Sequence, residues 1–247
     1  MNAANWRNEV PMKRLLLAAL GLGLLAGCPT AAPAPCLLQR PALGGYQNKF
    51  TLVGTNAACP AIFADNLRWD KYTDGLVVTK SDSMPYTNTV PDQGGDPNPA
   101  HSPLGSGTMP EEPTASNGLD ICTVPTLTHM QSDTSFLGAL QYDFTAIDFL
   151  DGARYQGSEY QAKVHVVMDA CEADYTVQAL TPNVFCGVDD DCNPLAEPDK
   201  GRAVGSGLNP DFAIACIKDD WVVNYVTGDP TTGLCFFTQP FPGLKTQ

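Results

Sequence analysis

EYQAKVHVVMDACEADYTVQAL, residues 159–180, alternates apolar and polar side chains along two arms. In the first arm Tyr160, Ala162, Val164, Val166 and Met168 share a face, and in the second Cys171, Ala173, Tyr175, Val177 and Ala179 do so. A period of two is the signature of half-buried strands. A hairpin turning at Asp169-Ala170 sets Met168 opposite Cys171, Val166 opposite Ala173, Val164 opposite Tyr175 and Ala162 opposite Val177. Every inward residue then meets an inward residue, so pattern and register agree. His165 falls opposite Asp174 and Lys163 opposite Thr176 on the outer face. Asp-Ala is not a favoured two-residue turn pair, so a wider four-residue loop in the same register is the alternative.

Working outward, residues 141–145 alternate with Tyr142 and Phe144 inward, and the phase then switches to Ile147 and Phe149. A β-bulge near Ala146 accounts for the switch. Further strands are expected at 46–53, 76–80, 212–217, 221–226 and 235–238, and a helix over 58–69 with Pro60 in its first turn. About eight short strands joined by long loops predict an all-β fold, an antiparallel β-sandwich or barrel. Residues 46–53 (YQNKFTLV) echo 160–167 (YQAKVHVV), each followed by a cysteine. A duplicated strand pair or two similarly alternating strands would both produce this.

The chain has 247 residues and a formal net charge of −13. Nucleic acid is excluded as a partner, since phosphate binding needs a basic stripe. At 43% hydrophobic and 17% charged residues it is a folded chain rather than an acidic disordered one.

The N-terminal region carries the second signal. From Met12 it reads MKRLLLAALGLGLLAGC, with Lys13 and Arg14 ahead of an apolar run from Leu15 to Leu25. That run is well under the ~20 residues that span a bilayer, and it has the proportions of a secretory signal helix. Met12 is the expected start, because Trp6 and Glu9 sit badly ahead of such a run. Leu25-Ala26-Gly27-Cys28 resembles the lipobox of bacterial lipoproteins, and the chain resembles the cysteine-containing lipoproteins of the Gram-negative envelope. The resemblance implies cleavage before Cys28 and covalent lipid on its thiol. By the sorting rule of enteric lipoproteins, Pro29 in place of aspartate implies delivery to the outer membrane, facing the periplasm or the cell surface. Two or three acyl chains hold a protein stably on a bilayer without spanning it.

The expected organisation is a signal peptide at 1–27, a Pro/Ala-rich tether at 28–45 and a single β-rich domain at 46–247. Residues 83–119, with seven prolines and five glycines, are expected to form a long flexible loop, and 193–210 another. Without residues 1–27 the net charge becomes −15. Of the 27 carboxylates, 21 are aspartates, which favour turns and caps.

Nine cysteines argue for an oxidising compartment. With Cys28 assigned to lipid, Cys36, Cys59, Cys122, Cys171, Cys186, Cys192, Cys216 and Cys235 are candidates for four disulfides. Cys186 and Cys192, separated by five residues, are the one close pair. A thiolate metal site is not expected, because no Cys-x-x-Cys occurs.

No catalytic motif emerges, and the chain is expected not to be an enzyme. Ser106 and Ser206 lie in bare Gly-Ser-Gly loops without a strand-turn-helix frame. His101 is expected in solvent, His129 beside a short strand, and His165 in an ion pair with Asp174. Asp189, Asp190 and Asp191, with Glu197 and Asp199 following, could gather oxygens around Ca²⁺, but a solvated turn at the tip of two strands is the preferred reading, since clustered carboxylates without a cation mainly repel. No cofactor beyond the lipid is implied. The expected function is a lipid-anchored, non-catalytic envelope protein that binds a partner or supports the envelope. The alternative is a carrier of a small apolar ligand, lipocalin-like, whose roomy barrel would be lined by Tyr142, Phe144, Tyr160 and Tyr175.

Overall fold

A computed structural model describes residues 35–38, 45–84, 101–135, 137–200 and 204–246. The signal segment, Cys28 and most of the tether lie outside the described residues. Among those residues the chain forms β1 (Tyr46–Leu52), β2 (Ile62–Lys71), β3 (Leu76–Ser81), β4 (Leu104–Thr108), β5 (Thr114–Ser116), β6 (Leu119–Thr126), β7 (Met130–Ser135), β8 (Gly138–Asp151), β9 (Glu159–Met168), β10 (Cys171–Leu180), β11 (Phe185–Cys186), β12 (Ile214–Ile217) and β13 (Gly233–Phe237).

The β9–β10 hairpin has the register read from its pattern: Met168 pairs Cys171, Val164 pairs Tyr175, and His165 pairs Asp174. The turn is the tight two-residue one rather than the wider loop. Asp169 takes a positive φ of 48°, which aspartate tolerates better than most residues. The β8 bulge is also present. Thr145 pairs Lys163 but Asp148 pairs Gln161, with a register shift between, and Ala146 has φ 48°. The bulge keeps Phe144 and Ile147 both on the buried side.

The main sheet is antiparallel, with the order β4-β3-β2-β1-β10-β9-β8-β6-β5, and β7 also pairs with β8. Its two sides meet. Thr128 N donates to Ser106 O (2.8 Å) and Gln131 N to Ser102 O (2.8 Å), so the β4 segment is bonded to the β6–β7 connection and the sheet closes as a barrel. Closure removes exposed edges. It also explains two glycines inside β4: a Cβ on Gly105 would lie 2.9 Å from Met130 Sδ, and one on Gly107 would lie 2.5 Å from Thr126 O.

Aromatic rings fill the barrel. Phe50 stacks on Phe63 (4.3 Å between centroids) and on Tyr142 (5.5 Å), and Phe149 lies 4.9 Å from Tyr160. A second, smaller layer covers part of the outer wall. It is the sheet β11-β13-β12, with a helical turn α1 (Asp220–Val222) that runs into a π-type turn (Val223–Thr227). Trp221, Phe212, Phe236 and Phe237 pack there against Ala64, Leu150 and Leu180 of the barrel's outer face.

Four disulfides tie the two layers internally: Cys36–Cys122, Cys59–Cys171, Cys186–Cys216 and Cys192–Cys235. Cys186 and Cys192 therefore do not pair with each other; each reaches a strand of the small sheet. Residues 46–53 and 160–167 form β1 and β9, which flank β10 on its two sides, and their following cysteines are bonded to each other.

Several expectations need correction. Residues 58–69 are not helical, since 62–71 is strand β2. Its inward side chains are Phe63, Asp65, Leu67 and Trp69, all buried, and the carboxylate at Asp65 hides the period of two. Residues 83–119 are not a single loop: they contain β4 and β5, while 85–100 lie outside the described residues. The end of the expected tether belongs to the body, because Cys36 is buried and disulfide-bonded. Residues 221–226, expected as a strand, form the helical turns. Asp219 precedes them and Gly228 closes them with φ 66°, a start-and-stop pair typical of a helix.

Candidate functional site

The site that bears on function is the point where the N-terminal segment enters the barrel. β1, β3, β6 and β9 start at this end of the barrel, and β2, β4, β8 and β10 finish there. Cys36 is bonded to Cys122 of β6. Its amide donates to Glu111 O (2.9 Å) and its carbonyl accepts from Lys71 Nζ (2.5 Å). Leu37 N donates to Asp151 Oδ2 (2.5 Å), while Asp151 Oδ1 accepts from Gly152 N (2.7 Å). Burial pushes the Asp151 carboxyl above its usual value, and the bonds from Leu37 and Gly152 oppose that rise. Gly157 must be glycine here, since its φ is +68° and a Cβ would lie 2.4 Å from Leu37 O. One covalent bond and three hydrogen bonds thus fix Cys36 and Leu37 of the entering chain. A cleft beside them is lined by Pro35, Leu37, Leu38, Tyr72 and Thr73.

Deeper in the barrel lies a polar centre that the sequence reading missed. Asp65 is buried and accepts from Ser81 Oγ, Ser83 Oγ (2.7 Å), Tyr142 OH (3.1 Å) and the amides of Asn66 (2.7 Å) and Ser83 (3.3 Å). Burial raises its carboxyl above the usual range despite these donors. Burial, and then the adjacent Asp65, push the Tyr142 phenol far up. Nearby, Tyr160 OH donates to Asn48 Oδ1, and Asn48 Nδ2 donates to Tyr46 O (2.6 Å). Satisfied in this way, the network rigidifies a core. None of the clefts beside the N-terminal entry, along the helical turns or over the small layer is lined by Asp65.

Glu159 joins the barrel to the C-terminal chain. Its two oxygens accept the Gly243 amide (2.9 and 3.0 Å) and Oε1 accepts Gln178 Nε2 (3.0 Å). Burial raises its carboxyl to about 7, against the opposing bonds from Gln178 and Gly243.

The residues singled out in the sequence are placed as follows. Asp189–Cys192 is a 3-10 turn. Asp191 Oδ2 accepts the amides of Gly187 (2.7 Å) and Val188 (3.1 Å), and Asp189 Oδ1 accepts that of Cys216 (2.8 Å). These carboxylates cap backbone rather than converge on one point. The Asp triplet is not among the metal-type clusters of the described residues; those clusters centre on disulfide-bonded cysteines. His165 Nδ1 meets Asp174 Oδ1 at 2.9 Å on the outer wall, and that hydrogen bond is the main cause of its raised pKa. His129 pairs with Asp143 (2.8 Å) and His101 with Asp133 (3.4 Å). Ser106 sits in β4, bonded to Thr128, and Ser206 Oγ donates to Cys192 O (3.1 Å). Tyr142, Phe144, Tyr160 and Tyr175 are buried against other side chains. Their rings pack against one another and against Phe50, Phe63 and Phe149 inside the barrel.

A family model, MlpA, matches residues 44–182, which is more than half of the chain and runs from the start of β1 to the end of β10. The chain belongs to the MlpA family. The MlpA match coincides with the barrel and contains Cys59, Cys122 and Cys171, whereas Cys36 and the cysteines of the small layer lie outside it. The chain is 29% identical over 114 residues to the Myxococcus xanthus protein named "Putative lipoprotein MlpA". That alignment covers 46% of this chain and 43% of the relative, so the chain matches less than half of the relative's length. No solved structure matches.

Proposed function

We propose that this chain is an exported lipoprotein of the outer membrane, carried by acyl chains on Cys28 after removal of residues 1–27. Its folded body has a non-catalytic role, binding a partner or supporting the envelope. One observation carries the reading. The chain has nine cysteines, and four disulfides use eight of them. The ninth, Cys28, has no cysteine left to pair with and stands at the end of Leu-Ala-Gly-Cys. The disulfides themselves fit an oxidising compartment, and the relative's name supports an anchor. The ring-packed barrel interior and the hydrogen-bonded Asp65 centre support a scaffold role.

The test compares the full chain with Cys28→Ser in a Gram-negative host fed an alkyne-tagged fatty acid. The native chain is expected to take up label and enter the detergent phase, and Cys28→Ser to do neither. Equal labelling or equal partitioning of the two chains would overturn the proposal.

A further inference from the structure

Besides Leu37 and Leu38, the end of the barrel where the chain enters exposes Tyr72 and Leu76. Leu37 is 42% exposed, Tyr72 53% and Leu76 38%, high values for large apolar side chains. Tyr72 N donates to Leu76 O (2.8 Å), so the two belong to one rigid turn. The turn borders the cleft of Pro35, Leu37 and Leu38, and Lys71 Nζ holds the chain there through Cys36 O. We propose that this face docks on the surface of the lipid bilayer, an inference that rests on the anchoring of Cys28.

The argument is one of reach. Only seven residues lie between Cys28 and Cys36, and in any conformation the eight Cα steps span at most about 29 Å. Cys36 itself cannot move, being bonded to Cys122 and hydrogen-bonded to Glu111 and Lys71. A body the size of Ala34–Gln247 has a diameter of about 44 Å. A leash shorter than the body it holds does not let that body turn over. The entry end stays toward the membrane, and the opposite end, with the Cys59–Cys171 bond and the Asp169-Ala170 turn, stays away from it. The surface so presented has a partly exposed tyrosine and leucines, side chains that settle at a headgroup boundary. With the anchor in place the local bilayer concentration is high, so weak apolar contact suffices.

The experiment uses the full acylated chain in vesicles of phosphatidylethanolamine and phosphatidylglycerol (3:1) doped with a photoactivatable phosphatidylcholine. Adducts are mapped by peptide mass spectrometry, and the acylation of Cys28 is read in the same sample. Adducts are expected on the peptides holding 37–38 and 72–76, at least about tenfold above those holding 169–170. Leu37→Asp with Tyr72→Asp, at exposed positions that leave the fold intact, is expected to lower that labelling about tenfold with Cys28 still acylated. With Cys28 acylated, equal labelling of the two ends, or labelling unchanged by the double variant, overturns the docking and leaves the anchor standing. Unacylated Cys28 overturns both. A face unlabelled in vesicles but shielded from a soluble probe in whole envelopes would assign it to a protein partner and overturn the lipid reading.

Discussion

Glu159 on β9 holds the amide of Gly243 with both carboxylate oxygens, 84 residues along the chain. The bond seats the C-terminal segment on the outer wall of the barrel. Burial of the Glu159 carboxyl, which this bond only partly offsets, gives stability a pH dependence. The folded-state pKa is raised from 4.5 to about 7, so the folded state binds the proton more tightly than the unfolded chain. The stabilisation from the bound proton is fully present below about 4.5 and is lost as pH rises through 7. The loss across this window is about 3 kcal/mol. In urea unfolding at pH 5 and pH 8.5, Glu159→Gln should reduce the difference between the two pH values by about that amount. An unchanged difference would remove Glu159 from the account.

Asp65 should tolerate loss of one partner better than loss of itself. Tyr142→Phe removes one of five donors and should cost about 1 kcal/mol. Asp65→Leu leaves the buried hydroxyls of Ser81, Ser83 and Tyr142 without their acceptor and should cost about 3–5 kcal/mol. Urea midpoints at pH 7 measure both, and equal costs would contradict the network.

The staple at Cys36 closes 86 residues of chain. Replacing Cys36 and Cys122 by serine should cost about 2–4 kcal/mol and open residues 35–38 to protease. If the variant unfolds like the parent and resists cleavage there, the entry point is not fixed by that bond.

Ala146 has φ 48° without being glycine. Ala146→Gly should stabilise by about 0.5–1 kcal/mol, the left-handed penalty less the entropy glycine adds to the unfolded chain. Thermal midpoints decide it, and a lower midpoint would contradict the bulge.

The β9–β10 hairpin was legible residue by residue because every inward position is apolar. β2 was not, because Asp65 stands where a hydrophobic residue would have completed the alternation, and only the tertiary partners Ser81, Ser83 and Tyr142 make it an inward residue. β4 was illegible for a different reason. Gly105 and Gly107 read as loop, yet they are required because barrel closure brings Met130 and Thr126 too close for side chains. Residues 221–226 were misread because Val222, Val223 and Val226 outweighed Asp219 and Gly228, whose helix start and stop were there to be used. Of the site, the cysteines were visible but their partners were not, since pairing depends on which strands the barrel brings together.

The most direct test of the central claim, lipid on Cys28, is the intact mass of the full-length product extracted from membranes in detergent. The account predicts a chain that begins at Cys28, lacks eight hydrogens for four disulfides and carries the added mass of a diacylglyceryl group and an amide-linked acyl chain. A product that retains residues 12–27 with an unmodified Cys28 would contradict it.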